Sequence, residues 1–103
     1  HDPRRKQLVG LLPTDRVTRL PEGSQIIGYS DDRRLPPPPI PMLGHVTSSY
    51  QSAELGRPFA LALLQGGSAL IGERLDVPIG DVLCEVEVTS TVFVDAQGER
   101  RDG

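Results

Sequence analysis

Few side chains in this chain have the type and spacing that catalysis needs. A hydrolytic triad requires a nucleophile, a general base and an orienting acid, and His45, Ser48 and Ser49 bring two of these groups close together. If this stretch is a strand, His45 and Thr47 face the same side, and that arrangement does not build the sharp turn that presents a catalytic serine. We therefore do not expect serine catalysis.

Metal and phosphate sites find no better support in the sequence. His1 and His45 lie far apart, and neither shares a ligand-spaced motif with Cys84. Residues 66–68, Gly-Gly-Ser, are similar to a piece of a phosphate-binding loop but lack the lysine that follows in such loops. We therefore expect no metal site and no catalytic residue, and a domain that binds or supports.

Length and composition indicate one small domain. The 103 residues suffice for a single core. A net charge of −3 and the absence of tryptophan give no footprint for nucleic-acid binding. The single cysteine, Cys84, fits a reducing compartment, so we expect a cytoplasmic location. No apolar run approaches the roughly twenty residues of a membrane span, and no signal peptide is visible in the first residues of the sequence, which lack an apolar segment. Because the chain starts at His1 without methionine, we expect a fragment or a processed chain.

Short strands separated by glycine and proline turns account for most of the sequence. The predicted strands are residues 6–12, 25–29, 46–50, 59–64, 72–79, 82–89 and 92–94. The almost wholly apolar residues 59–64 are too few for a stable isolated helix, so we interpret them as a buried central strand. The pattern predicts an all-β domain, a small antiparallel barrel or sandwich of six or seven strands with at most one or two helical turns.

Residues 82–89 show the clearest alternation. Val82 and Cys84 are expected to face the core together with Val86 and Val88, so Cys84 should be a buried, unreactive thiol. Glu85 and Glu87 share the opposite, wet side of this strand, where carboxylates are more often solvated than paired for acid–base chemistry. The charged residues of 72–79 are likewise expected on a wet face.

Several local features have a specific structural interpretation. Gly44 is placed where two backbones need close approach. Ser52 and Gly56 are the expected cap and stop of a single helical turn. Four consecutive prolines at 36–39 favour a rigid edge connection, with a ligand for a proline-binding module as the alternative. The arginine pairs, including Arg33 and Arg34, are interpreted as solvated charge, with docking to acidic partners as the alternative.

One ordered set of motifs resembles the C-terminal barrel of the aminomethyltransferase family, which includes the T-protein of the glycine cleavage system. Residues 44–50 read Gly-His-Val-Thr-Ser-Ser-Tyr, and they are followed by Leu-Gly-Arg at 55–57 and Ala-Leu-Ala at 60–62. The family pattern is roughly Gly-x-Val-Thr-Ser-Gly/Ser, then Ser-Pro-x-Leu-Gly, then an Ile-Ala-Leu/Met-Ala strand. Ala53 departs from it, because the family usually has proline there.

Further segments are similar to the branch of this family found in the alpha subunits of heterotetrameric sarcosine oxidases. They are residues 5–12, 21–26, 89–95 and 98–100. The resemblance covers nearly the whole chain in order. It implies a single barrel domain over residues 1–103, cut from a larger subunit, with flexible ends at 1–5 and 96–103.

The resemblance also implies a function for the parent protein. That function is the oxidative demethylation of sarcosine to glycine, with one-carbon transfer to tetrahydrofolate. Flavin, NAD and tetrahydrofolate are implied for the parent complex and none for this domain, whose partners would be an upstream folate-binding domain and the other subunits of a hetero-oligomer. The alternatives are the barrel of a glycine cleavage T-protein or a related folate-dependent dehydrogenase, and a stand-alone protein-interaction module.

If this barrel touches folate, the residues expected to do so are His45, Tyr50 and Arg57. They flank the turn after the Thr-Ser strand and carry polar groups able to meet a pteridine or a glutamate carboxylate. Arg57 could hold a carboxylate with two hydrogen bonds. In the alternative, Tyr50 packs in the barrel, His45 bonds a backbone carbonyl, and Arg57 is solvated.

Overall fold

The chain forms a closed antiparallel β-barrel, which a computed structural model describes for residues 5–53 and 55–92. The strands are β1 (Lys6–Pro13), β2 (Gln25–Gly28), β3 (Gly44–Ser52), β4 (Arg57–Gln65), β5 (Arg74–Ile79) and β6 (Val82–Thr89), with one 3₁₀ turn at Gly67–Leu70. They pair in the order β1-β4-β3-β2-β5-β6, and β6 closes onto β1. The predicted all-β fold is confirmed, and it is a barrel rather than a sandwich.

The seventh predicted strand, residues 92–94, is described by the structure only at its first residue. Val92 lies outside the strands, and the rest of that prediction, residues 93 and 94, lies outside the described residues. The expected flexible ends fall almost wholly on residues that are likewise not described. Among the described residues, no helix is long and apolar enough to cross a membrane.

The core fills the inside of the barrel with alternate residues of the strands. In β6 the inward side chains are Cys84, Val86 and Val88, as the alternation predicted. The prediction that Val82 faces the core is wrong, because this residue lies at the start of the strand and is 64% exposed. The other buried core residues are Val9, Leu11, Leu20, Ile26, Val46, Ala60, Ala62, Leu64, Leu75 and Val77.

Strands β3 and β4 approach each other unusually closely at Gly44. A Cβ atom at this position would lie 1.9 Å from the carbonyl oxygen of Leu63, so no side chain fits there. The close approach expected from the sequence is confirmed. Further along, a bulge between Val46 and Ser48 breaks the simple alternation that the sequence suggested for β3. Val46 therefore faces the core while Ser48 pairs on the outer side.

The connection from β3 to β4 is a single tight turn. The backbone N–H of Leu55 donates to Ser52 Oγ over 3.1 Å, and the N–H of Gly56 donates to the Ser52 carbonyl over 2.9 Å. Gly56 adopts a φ of 64°, the left-handed conformation that favours glycine. Ser52 and Gly56 thus have the bond and the backbone conformation expected of a cap and a stop, but the described residues between β3 and β4 form a turn and no assigned helix.

The proline-rich connection between β2 and β3 folds over the outside of β5. It is held there by Asp76, a β5 residue that is completely buried. The expectation that the charged residues of this strand face water is therefore wrong for Asp76. Arg33 is exposed, in agreement with the expected solvated charge, but its guanidinium also pairs with the Asp76 carboxylate, which the sequence did not predict.

Candidate functional site

In the described part of the chain, β1, β4 and β3 form a mostly apolar face on the outside of the barrel. Across these three strands, Leu8 pairs with Leu63, which in turn pairs with His45. The strand register places the following residues on this face, which we call the outer wall: Leu8, Gly10, His45, Ser48, Tyr50, Phe59, Leu61 and Leu63.

The opposite face of the barrel, formed by β5 and β6, is charged. Arg74 Nε lies 3.6 Å from Glu85 Oε2, and both side chains reach solvent. Glu87 is also exposed on this side. The outward residues are therefore unevenly distributed, with charge over β5 and β6, apolar side chains over β1 and β4, and polar or aromatic side chains over β3.

Tyr50 packs on the outer wall rather than inside the barrel. Its ring stacks on Phe59 with a centroid separation of 5.2 Å and an angle of 23° between the planes. Phe59 is only 3% exposed but does not belong to the main core. The stacked pair forms an aromatic platform at one end of the wall, with Tyr50 half-buried.

His45 lies at the other end of the wall. It is half-buried in β3, between Gln25 of β2 and Leu63 of β4. Tyr50 lies five positions further along the extended chain, a distance of roughly 16 Å. The two side chains are therefore on the same face but not in contact, and only an elongated ligand could touch both.

Arg57 lies at the margin of the wall, where it pairs in register with Ser52. Its Nη2 donates to the carbonyl oxygen of Pro13 over 2.5 Å, and its Nε is buried without a hydrogen-bond partner. Burial lowers the pKa of the Arg57 guanidinium, and the charge of Arg16 lowers it further. The bond to Pro13 uses one of the two hydrogens on Nη2, so Nη1 could meet a carboxylate without breaking the bond to β1.

A separate apolar cavity of about 260 Å³ lies beneath the proline-rich connection. Tyr29 is at its edge, with the Arg33 guanidinium 4.7 Å above the ring. This cavity could not be predicted from the sequence, because the residues that line it come from both ends of a long irregular segment. It is lined by Ile27, Gly28, Tyr29, Pro36, Ile40, Pro41 and Leu43.

The acidic, histidine and cysteine side chains in the described part of the chain form no cluster of three or more that could hold a metal ion. Cys84 is buried, as expected. Burial raises the pKa of its thiol, so the neutral form is favoured at this position. The groups available for interaction with another molecule are the apolar side chains of the outer wall, with His45 and Tyr50 at its ends and Arg57 at its margin.

Comparison with known proteins agrees with this architecture. Residues 6–95 match the family described as the glycine cleavage T-protein C-terminal barrel domain. The chain is 44% identical over 99 residues to the sarcosine oxidase subunit alpha of Corynebacterium sp. strain P-1, and 42% identical over 99 residues to that of strain U-96. Each alignment covers 96% of this chain and 10% of the relative, so the chain spans about a tenth of the length of these curated relatives.

The fold is similar to that of a solved aminomethyltransferase. The crystal structure of the glycine cleavage system aminomethyltransferase T from Bartonella henselae superposes with a TM-score of 0.63, covering 84% of this chain and 21% of that one at 18% identity. At this identity the likeness shows the fold alone. Since the family match extends over most of the chain, the protein belongs to the glycine cleavage T-protein C-terminal barrel domain family.

Proposed function

We propose that this chain is the non-catalytic barrel of a sarcosine oxidase alpha subunit. In that role it supports a folate-binding region during oxidative demethylation of sarcosine to glycine. The observation that carries the proposal is the identity of 44% and 42% to two such subunits, over nearly the whole of this chain and only a tenth of theirs. The remaining length of such a subunit would carry the nicotinamide-binding and folate-binding regions, and the flavin that oxidises sarcosine would lie on another subunit.

The outer wall supplies the groups that suit a supporting role toward folate. When bound, tetrahydrofolate would accept the one-carbon unit released from sarcosine. The half-buried ring of Tyr50, fixed by stacking on Phe59, could cover an aromatic heterocycle. His45 could donate or accept a hydrogen bond at the far end of the same wall, and Arg57 Nη1 could meet a carboxylate at its margin.

The other cofactors of the proposed complex would be bound elsewhere. Flavin and NAD need a dinucleotide-binding region, and the sequence of this chain contains no glycine-rich fingerprint for one. We therefore place flavin and NAD on the rest of the alpha subunit and on its partner subunits.

The proposal is tested with the longer polypeptide that contains this barrel, purified together with its partner subunits. Sarcosine-dependent oxygen consumption and glycine formation are measured, and the one-carbon product is followed with and without tetrahydrofolate. We expect turnover, and diversion of the one-carbon unit from formaldehyde to the methylene adduct when tetrahydrofolate is present. The 103-residue chain alone should show no turnover. Inactivity of the complete complex toward sarcosine, or turnover by the chain alone, would overturn the proposal.

A further inference from the structure

The outer wall is apolar where a solvent-facing sheet is normally polar. An antiparallel strand with one wet face alternates apolar and polar residues, but β4 carries Leu61 and Leu63 on its outer side in addition to Ala60, Ala62 and Leu64 within. Strand β4 is thus built like a strand that is covered on both faces.

The outward side chains of this region also lie next to one another. Leu8 is 48% exposed and lies directly opposite Leu63. Leu61 lies on the same face between Gly10 and Ser48, which are small. Scattered exposed apolar residues need no explanation, whereas a contiguous patch marks an interaction surface.

The size of the patch bears on what covers it. Three strands about 4.8 Å apart and about 20 Å long present a flat area of roughly 300 Å², which includes the polar side chains of His45 and Ser48 on β3. A stable complex of two separate proteins buries about 800 Å² on each partner. Contacts between domains of one polypeptide can be as small as about 600 Å² in total, or about 300 Å² a side, because the tether keeps the partners at high effective concentration. The area fits a tethered domain better than a second copy of the chain.

The position of the wall fits a tether as well. Any polypeptide that precedes the barrel joins β1 at Lys6, only two residues from Leu8 on the same face. A preceding domain would therefore be connected at the edge of the wall. The charged face of β5 and β6, with its Arg74–Glu85 ion pair, is suited to remain in solvent.

We infer that the outer wall at Leu8, Leu61 and Leu63 is the docking surface for an apolar face of another domain of the same polypeptide. The inference rests on the proposed function only in that it assumes a longer subunit. It assigns a position and a chemistry to the contact between the barrel and the rest of that subunit. The residues at the ends of the wall, His45 and Tyr50, would then lie at the rim of this contact.

The experiment introduces one cysteine at a time beside the native Cys84 and measures how accessible the new thiol is to a labelling reagent. Leu8→Cys lies on the wall, and Val82→Cys is a matched control on β6, also exposed and also in a strand. Each variant is made in the 103-residue chain and in the longer polypeptide, and labelling by a thiol reagent is followed by peptide mass spectrometry. We expect both cysteines to react fast in the chain alone. In the longer polypeptide, Leu8→Cys should slow about tenfold or more while Val82→Cys keeps its rate.

A second variant, Leu63→Cys on β4, repeats the measurement if Leu8→Cys disturbs the structure of β1. Equal labelling rates of both wall cysteines in the two proteins would overturn the inference. So would slow, concentration-dependent labelling in the chain alone, since a second copy would then cover the wall. Sarcosine turnover is measured on the same longer polypeptide after assembly with its partner subunits. If the wall cysteines are protected from labelling but sarcosine is not turned over, the docking surface stands and the proposed function is overturned. If sarcosine is turned over but the wall cysteines are not protected, the proposed function stands and the docking surface is overturned.

Discussion

Asp76 and Arg33 form a doubly hydrogen-bonded ion pair on the outside of the barrel, with Nη1 and Nη2 each 2.8 Å from a carboxylate oxygen. The backbone N–H of Ser30 donates to the same carboxylate over 2.7 Å. Arg33 also lies over the ring of Tyr29. One strand carboxylate thereby holds the proline-rich connection that covers β5.

Replacing Arg33 should destabilise the barrel. Arg33→Ala leaves the Asp76 carboxylate buried without its counter-charge, a change that costs several kcal/mol in a fully buried pair. Because the Arg33 side chain is 37% exposed, water would compensate part of the loss, and we expect a decrease of roughly 1–3 kcal/mol in the free energy of unfolding. Urea denaturation measures it. Arg34→Ala, at the exposed neighbour, should have little effect, and equal stability of the two variants would contradict the role of the pair.

A side chain at Gly44 should be far more harmful than one at Gly28. Gly44→Ala places a Cβ atom 1.9 Å from the Leu63 carbonyl oxygen, so β3 and β4 must separate. We expect a loss of about 3 kcal/mol or more. Gly28 is also in a strand, but nothing lies within 4 Å of an added Cβ, so Gly28→Ala is the matched control. Thermal unfolding of both variants measures the difference, and we expect a clearly lower melting temperature for Gly44→Ala. Similar melting temperatures would contradict the close approach of β3 and β4 at Gly44.

Cys84 should be unreactive in the folded chain. Its thiol is buried among the core residues of β6, and we expect labelling to be roughly a hundredfold or more slower than in denaturant. Rapid labelling of the native chain would show that the thiol is accessible.

The raised pKa of Cys84 also has a consequence for stability. Burial keeps the thiol neutral in the folded state, whereas the unfolded thiol ionises above about pH 8.5. Unfolding therefore releases a proton above that pH, so this contribution to stability is complete at lower pH and decreases as pH rises. Cys84→Ala should abolish this part of the pH dependence in denaturation measured from pH 7 to 10. The same slope in both proteins would rule out the thiol as its source.

The sequence predicts best those features that depend on neighbouring residues. The alternation around Cys84, the close approach at Gly44 and the turn from Ser52 to Gly56 each follow from local side-chain size or backbone preference. The bulge between Val46 and Ser48 could not be predicted in this way. One extra residue shifts the alternation of inward and outward side chains, and no residue type in the strand marks where the shift occurs. The bulge decides which residues of β3 face outward.

Burial at Asp76 depends on a distant partner. Its strand has the charged and apolar alternation of a sheet that faces water, and the residue that buries it, Arg33, lies 43 positions away. Nothing at Arg74 or Asp76 distinguishes the exposed charge from the buried one. For the candidate site, the residue types of His45, Tyr50 and Arg57 could be chosen from the sequence. Their common outer face and the bond from Arg57 to Pro13 required the fold.

The most direct test of the supporting role is a titration of tetrahydrofolate into the 103-residue chain and into the longer subunit, with Arg57→Ala and the control Arg34→Ala in each. The account predicts a dissociation constant of about 1 mM or weaker for the chain alone, because most of the site would lie outside it. In the subunit it predicts tighter binding, weakened by about 1–3 kcal/mol in Arg57→Ala and unchanged in Arg34→Ala. Micromolar binding by the chain alone, or unchanged affinity in the Arg57→Ala subunit, would contradict it.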